Sequence, residues 1–369
     1  MAEPFLVHHG KLHYYFREVF KRLRVPARDA SKVADVLVAA ELYGIESEGA
    51  ARVPAYLHRI SSGLVNLTPR LKVTNETDSA ATLQGDNGLG PVVAAKAMDL
   101  AILKAERTGI AAVAVRNSNH FGPAGYYARL ALARDMMGIA LTNGHPDVVP
   151  RPGAPPLVGA NPLAIAAPTR SGRAFVLDMA TSSASPGKIE ALHRRGEPIP
   201  KTWALDKKGS PTRDAGVALE SLRLLPLGND ADGSSYKGFG LAVAVDVLCG
   251  VLSGGAFGLE LAAGTAARPG VANVGHFFAA IKIKAFGSYP QFVSRNQEML
   301  DRLVDPPGPR LAGLRYPGEL QHETEEARRR DGIPLAPDVA KELARIGRSL
   351  GLQEAWEQLR SSRETRTKK

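Results

Sequence analysis

The sequence predicts a mixed α/β protein, with a central region of strands and helices flanked by helical segments at both chain ends. Two patterns carry that reading. Between residues 71 and about 252, short apolar strand-like runs alternate with helical ones. Outside that stretch, apolar residues recur at helical spacing. A third observation narrows the class: the one glycine cluster that follows a strand lacks the full dinucleotide fingerprint.

The elements follow in order. Residues 11–43 read as two helices, the first marked by Leu12, Tyr15, Phe16, Val19, Phe20 and Leu23, the second running over 30–43. Pro26 separates them because proline breaks helical hydrogen bonding. A polar, punctuated stretch over 44–63 holds one short helix at 52–60. Strands are expected at 71–75, 80–84, 111–115, 138–142, 163–167 and 175–178, with helices at 91–108, 123–137, 186–195 and 237–252. From about residue 291 helical and loop composition returns, with helices at 337–350 and 352–361 expected to pack back on the N-terminal ones. The predicted division is a helical part over 1–75, an α/β region over 76–285, a helical return segment over 286–350, and a helix end with a basic tail over 351–369. No internal repeat is visible.

At 369 residues the chain exceeds the size at which a single core stops growing, so two domains are expected. An apolar fraction of 44% and a charged fraction of 23% describe an ordinary globular protein. No apolar run reaches the ~20 residues that cross a bilayer, and no secretory leader is visible. The single cysteine, Cys249, lies in an apolar run and reads as core filling, which fits a reducing cytoplasm. The net charge of +10 is partly local to the tail around Arg360 to Lys369, and no nucleic-acid-binding signature accompanies it. Small anionic metabolites suit that charge better.

The most informative residue is His120, in Asn117-Ser-Asn-His-Phe-Gly. It sits on a polar turn between an apolar strand and a helix opening near Pro123. The positive end of that helix is expected to disfavour imidazolium, and a neutral imidazole can take a proton from an alcohol near pH 7. A histidine that simply hydrogen-bonds in a loop is the alternative. Asp86-Asn-Gly-Leu-Gly-Pro lacks the third glycine of a Rossmann fingerprint and has no acid closing a second strand, so Gly88 and Gly90 read as turn formers.

Three further places could hold an anion. After Asp178, Thr181, Ser182, Ser183 and Ser185 precede a helix start with Lys188; this is either an anion cradle or an N-cap. Lys237 starts an apolar helix, where the dipole disfavours a cation unless it meets an anion; Gly238 and Gly240 leave room for a ligand or for a neighbouring element. Ser47, Arg52 and Tyr56 come near one another if a helix spans the last two; an arginine can fork a carboxylate or simply lie on the surface. No histidine or acidic cluster has convincing metal-ligand spacing.

Asn117-Ser-Asn-His-Phe-Gly, Gly159-Ala-Asn-Pro-Leu, Leu177-Asp-Met-Ala-Thr-Ser, Tyr236-Lys-Gly-Phe-Gly-Leu, Gly275-His-Phe-Phe and Pro317-Gly-Glu occur in that order. Together they resemble the malate/L-lactate dehydrogenase family that lacks a Rossmann fold, over residues 11 to about 350. That group also includes ureidoglycolate, sulfolactate and diketogulonate enzymes and piperideine-carboxylate reductases. The resemblance implies a homodimer with a discontinuous helical domain and a non-Rossmann mixed-sheet domain that binds NAD or NADP. It implies hydride transfer on a small 2-hydroxy or 2-oxo acid, or a related cyclic imine acid. His120 falls on the family's acid/base, and Ser47 and Arg52 on its substrate side. Gly144, Asp178, Met179, Ala180, Thr181, Lys237, Pro317, Gly318 and Glu319 fall on cofactor segments. Three positions depart from the pattern. Glu48 stands where the family usually has histidine, Arg151-Pro152-Gly153 replaces aromatic-Gly-Gly, and Ala160 replaces a threonine. The loop from Asn229 to Ser235 is also unusually acidic. An ionised Glu48 would repel an acid substrate, so a weakened relative that binds nicotinamide or an anionic metabolite without efficient turnover is the rival expectation.

Overall fold

In the computed structural model, seven strands form one mixed sheet in the order 72–76, 80–84, 110–118, 274–282, 136–142, 163–167, 175–179. The structure describes residues 5–228, 234–265, 268–306 and 313–360, without side chains at 262–265, 268, 269 and 360. The acidic loop, apart from Ser234 and Ser235, and the basic tail beyond residue 360 lie outside the described residues. Only one neighbouring pair in this sheet is parallel, Ala80–Gln84 with Ile110–Ser118; the other pairs are antiparallel. A doubly wound dinucleotide fold would be mostly parallel, so this topology is of another kind.

The chain divides into two compact units, Met1–Thr68 with Glu319–Lys369, and Pro69–Gly318. In the first, the helix His9–Arg22 buries Leu12, Tyr15, Phe16, Val19 and Phe20, a stripe at helical spacing. Pro26 caps the start of Ala27–Leu42, with Arg24 in the left-handed region at φ 66° between the two helices. The C-terminal segment returns onto this bundle. Phe5–Val7 pairs antiparallel with Ile333–Leu335, the Tyr15 hydroxyl donates to the Leu343 carbonyl at 2.6 Å, and Trp356 packs on Phe5 and Tyr15.

The sheet unit adds elements that the sequence pattern did not reveal. Its central strand, Val274–Lys282, was not expected; Gly, His and Ala interrupt its apolar residues, and because it is covered on both faces it shows no alternation. The helix expected over 123–137 stops early. Ala124–Leu130 runs into one 3-10 turn, Ala131–Arg134, and the left-handed Asp135 then starts the strand Met136–Thr142, whose ladder bonds outcompete further helix. The helix Ser235–Asp246 ends in a π turn, Val247–Val251. Among the described residues, no helix is long and apolar enough to cross a membrane.

Candidate active site

The turn carrying His120 presents one exposed side chain among buried neighbours. Ser118, Asn119 and Phe121 are 0%, 2% and 1% exposed, whereas His120 faces solvent. Each flank is tied down separately. The Asn119 amide nitrogen lies 2.9–3.1 Å from the Gly88 and Asn87 carbonyls and the Asn87 side-chain oxygen. The helix Gly90–Thr108 starts directly against the turn, and a Cβ at Gly90 would stand 2.1 Å from the His120 carbonyl oxygen. That glycine therefore serves the approach of this turn and not of a pyrophosphate. Phe121 is sandwiched between His276, at 4.7 Å and 3° between planes, and Tyr127, at 4.8 Å and 19°. The Tyr127 hydroxyl closes the turn by donating to the Phe121 carbonyl.

The helix that follows begins with its N-terminus already answered. Asp178 Oδ2 accepts from the Gly125 N–H at 2.9 Å, and a Cβ at Gly125 would collide with that carboxylate. The positive end expected to act on His120 is thus met by Asp178. Asp178, Met179 and Ala180 are half-buried where the strand Phe175–Met179 ends. Thr181 is fully buried, and its N–H and hydroxyl both donate to the Ala160 carbonyl, at 2.8 and 2.9 Å. From there hydrogen bonds run on. Asn161 accepts from the Gly144 N–H at 3.1 Å and donates to the Ala242 carbonyl at 2.8 Å, on the helix that carries Lys237. Pro317 accepts from the Val176 N–H at 2.9 Å, with Gly318 following it. His120, Asp178, Met179, Ala180, Thr181, Gly144, Lys237, Pro317 and Gly318 are therefore all in the sheet unit, most of them on one connected set of loops.

The hydroxyl-rich turn is not an open cradle. Ser182 donates to Ala184, Ser183 to Pro226, and Thr181 to Ala160, while Ser185 caps the Lys188 N–H. All four hydroxyls have local work, and Lys188 lies over the Trp203 ring at 4.8 Å. The two glycines beside Lys237 divide. A Cβ at Gly238 would meet the Leu227 backbone at 2.3 Å, so a neighbouring segment fills that space; at Gly240 and at Gly144 it would meet nothing within 4 Å.

The remaining candidates belong to the helical unit. Ser47 and Glu48 lie on the turn Glu46–Glu48, Arg52 ends the turn Ala50–Arg52, and Tyr56 is buried on the helix Val53–Ser61. Glu48 Oε1 is 3.6 Å from Arg52 Nη2, with both side chains about one-fifth exposed (17% and 22%). Burial, and then the Glu48 charge, raises the pKa of the Tyr56 phenol. Glu319 opens the helix Glu319–Asp331.

Sequence reasoning missed two groups. His276 is treated below. Glu41 is 2% exposed and its Oε1 accepts from the Ala50 N–H at 2.7 Å, holding the turn that leads to Arg52. Burial pushes its pKa up to about 7, against a lowering pull from Arg328. An unfolded glutamate ionises near pH 4.5, so between 4.5 and about 7 the folded state keeps a proton that the unfolded state has lost. Stability from this group therefore falls as pH rises through that window, by about 3 kcal/mol in full. Asp147, also pushed up to about 7 by burial, titrates with the same sign. Glu41→Gln is accordingly expected to narrow the wild-type gap between thermal midpoints at pH 5 and pH 8 without closing it. An unchanged gap in paired thermal melts would count against this role.

Residues 7–344 match the family described as Malate/L-lactate dehydrogenase. The chain is 43% identical to a malate dehydrogenase of Pyrococcus abyssi over 337 residues, 91% of this chain and 92% of that one. It is 38% identical to an L-sulfolactate dehydrogenase of Methanocaldococcus jannaschii over 335 residues, 91% of this chain and 94% of that one. The solved structure of malate dehydrogenase from Pyrococcus horikoshii superposes with a TM-score of 0.85 at 37% identity, covering 95% of this chain and 97% of the other.

Proposed function

The chain belongs to the malate/L-lactate dehydrogenase family, and from that premise we propose that it is a nicotinamide-dependent oxidoreductase. Its substrate is a small 2-hydroxy or 2-oxo acid, or a related cyclic imine acid. The observation that supports this most directly is the solvent-facing imidazole of His120 on a turn whose flanking residues are all buried.

The sheet unit has features suited to NAD or NADP. Open space stands over Gly144 and Gly240, and exposed Lys237 and half-buried Asp178, Met179 and Ala180 lie on the linked loops. Thr181 contributes by bracing the Ala160 loop, and Pro317, Gly318 and Glu319 complete the cofactor segments in this reading. When bound, the nicotinamide accepts or delivers hydride at C4 of its ring. Neutral His120 takes the hydroxyl proton onto an imidazole nitrogen during oxidation, and the imidazolium returns it during reduction. Arg52 grips the substrate carboxylate through two parallel N–H bonds, Ser47 orients it, and Tyr56 backs that arginine. Correct alignment of the reacting atoms accounts for much of the acceleration.

We place the protein in the cytoplasm as a homodimer. Val243, Val247 and Val251 stand 39–54% exposed at four-residue spacing along the helix Ser235–Asp246 and the turn after it, an apolar face of the kind that partner subunits cover. The Glu48–Arg52 pair favours a second reading, in which a partly neutralised Arg52 leaves the protein binding nicotinamide without efficient turnover. Fluorescence titration with NADH and NADPH, then a panel of 2-oxo acids followed by loss of reduced-cofactor absorbance, separates the two. Cofactor binding with turnover supports the first reading and binding without turnover the second; binding of neither cofactor overturns both. Light scattering on the same preparation should give twice the chain mass, and a monomer would remove the dimer.

A further inference from the structure

His276 is fully buried on the central strand of the sheet, beneath the turn that carries His120. Its Nδ1 is 2.7 Å from Thr142 Oγ1 on one neighbouring strand, and its Nε2 is 2.8 Å from Ser118 Oγ on the other. The carbonyl acceptors around Thr142 favour Nδ1 as the donor. Thr142 Oγ1 also lies 3.0 and 3.1 Å from the Asn143 and Gly275 carbonyl oxygens, which can only accept. The threonine proton therefore points to a carbonyl, and its oxygen accepts from Nδ1–H. Nε2 is left as an acceptor, and Ser118 donates to it. The other acceptor near Ser118, the Asn119 carbonyl, is 3.5 Å away and too distant to compete. An imidazolium would force Ser118 to aim its proton at that distant oxygen. Burial, with His120 nearby, pushes the His276 pKa down to about 3, against a raising pull from a hydrogen bond to the Asn119 backbone.

A ring of this kind is not needed for packing alone. An apolar residue here would leave the Ser118 and Thr142 hydroxyls buried without this partner, and a fully satisfied polar network fixes one geometry where an apolar core tolerates several. The geometry it fixes is local to the turn. His276 locks the hydroxyl of Ser118, two residues before His120, and stacks on Phe121, the residue after it. We propose that His276 is a positioning residue for the acid/base at 120, which through Ser118 and Phe121 holds the backbone on both sides of that exposed ring. Small errors in the aim of a proton-transferring group are costly. The assignment rests on the reading of His120 as that group.

The test uses the full-length protein with NADH and whichever 2-oxo acid the panel identifies. The side-chain amide of glutamine reaches where Nε2 stands, and that of asparagine reaches where Nδ1 stands. His276→Gln should hold kcat within about fivefold, whereas His276→Asn should lose roughly 30-fold in kcat, with KM and NADH affinity within about twofold. Ser118→Ala should reproduce the asparagine loss, because it breaks the same link from the other end. Unchanged kcat in His276→Asn and Ser118→Ala overturns the proposal. So do equal losses in the glutamine and asparagine variants that track a fall in Tm, or a loss confined to KM. If the asparagine variant fails to fold, Ser118→Ala decides alone. Normal turnover by His120→Ala removes the acid/base reading itself. A dead His120→Ala beside fully active His276→Asn and Ser118→Ala leaves that reading standing and removes only this one.

Discussion

Replacing His120 by alanine is expected to lower kcat by about three orders of magnitude, the middle of the range for losing a positioned general acid–base group. Cofactor affinity should be nearly unchanged, because the ring faces solvent and the cofactor segments assigned above lie on other loops. Stability should also hold. The turn is fixed by Asn119, Phe121 and the Gly90 approach, none of which uses the imidazole. An exposed truncation of this kind costs within about 0.5 kcal/mol. Stopped-flow reduction of the 2-oxo acid, NADH fluorescence titration and a thermal melt give the three readings. A variant that turns over at the wild-type rate ends the assignment. A variant that loses kcat only in proportion to a fall in Tm shows instead a structural histidine.

His120 could be singled out from sequence because its turn combines an apolar strand, a polar turn and a helix start, all local signals. The same is true of the strands 80–84 and 163–167 and the helix Pro186–Arg195, whose bounds agree with the sequence expectation because local markers bound them: Gly85 after the first, Pro162 and Pro168 around the second, and Ser185 with Pro186 at the helix start. The central strand Val274–Lys282 was hidden for the opposite reason: its state is set by partners more than a hundred residues away in sequence, Ile110–Ser118 and Met136–Thr142. His276 was quoted in a motif but given no role, since a histidine's chemistry depends on Ser118 and Thr142 facing it across two ladders. The hydroxyl-rich turn misled in a related way. Counting hydroxyls suggests an anion site, but each finds an acceptor or donor that only the folded chain supplies, among them the carbonyls of Ala160 and Pro226. Gly238 and Gly240 look alike in sequence and differ in space, one against Leu227 and one open.

Arg52 and Glu48 should respond in opposite directions. Arg52→Lys keeps the charge but loses the fork, so the KM for the 2-oxo acid is expected to rise roughly 30-fold with kcat falling far less, since a lysine grips a carboxylate as a point charge. Glu48→Gln removes the anion that sits 3.6 Å from the guanidinium. Opposite charges at about 4 Å attract by about 4 kcal/mol at an effective dielectric near 20. Both side chains here are about one-fifth exposed and share that attraction with water and salt, which leaves about 1 kcal/mol to be returned to substrate binding. The KM should then fall roughly fivefold, and more for a dicarboxylate than for a monocarboxylate, because a second negative group on the substrate feels the same repulsion. NADH affinity is the internal control and should move in neither variant. Steady-state kinetics with one mono- and one dicarboxylic 2-oxo acid reads all of this. If Glu48→Gln leaves both KM values in place, the ion pair has no bearing on the substrate, and the rival reading of a protein weakened by Glu48 loses its only structural support. If it raises kcat by a large factor as well, Glu48 restrains the chemical step itself, and the wild-type chain is better described as the attenuated member that this reading supposes.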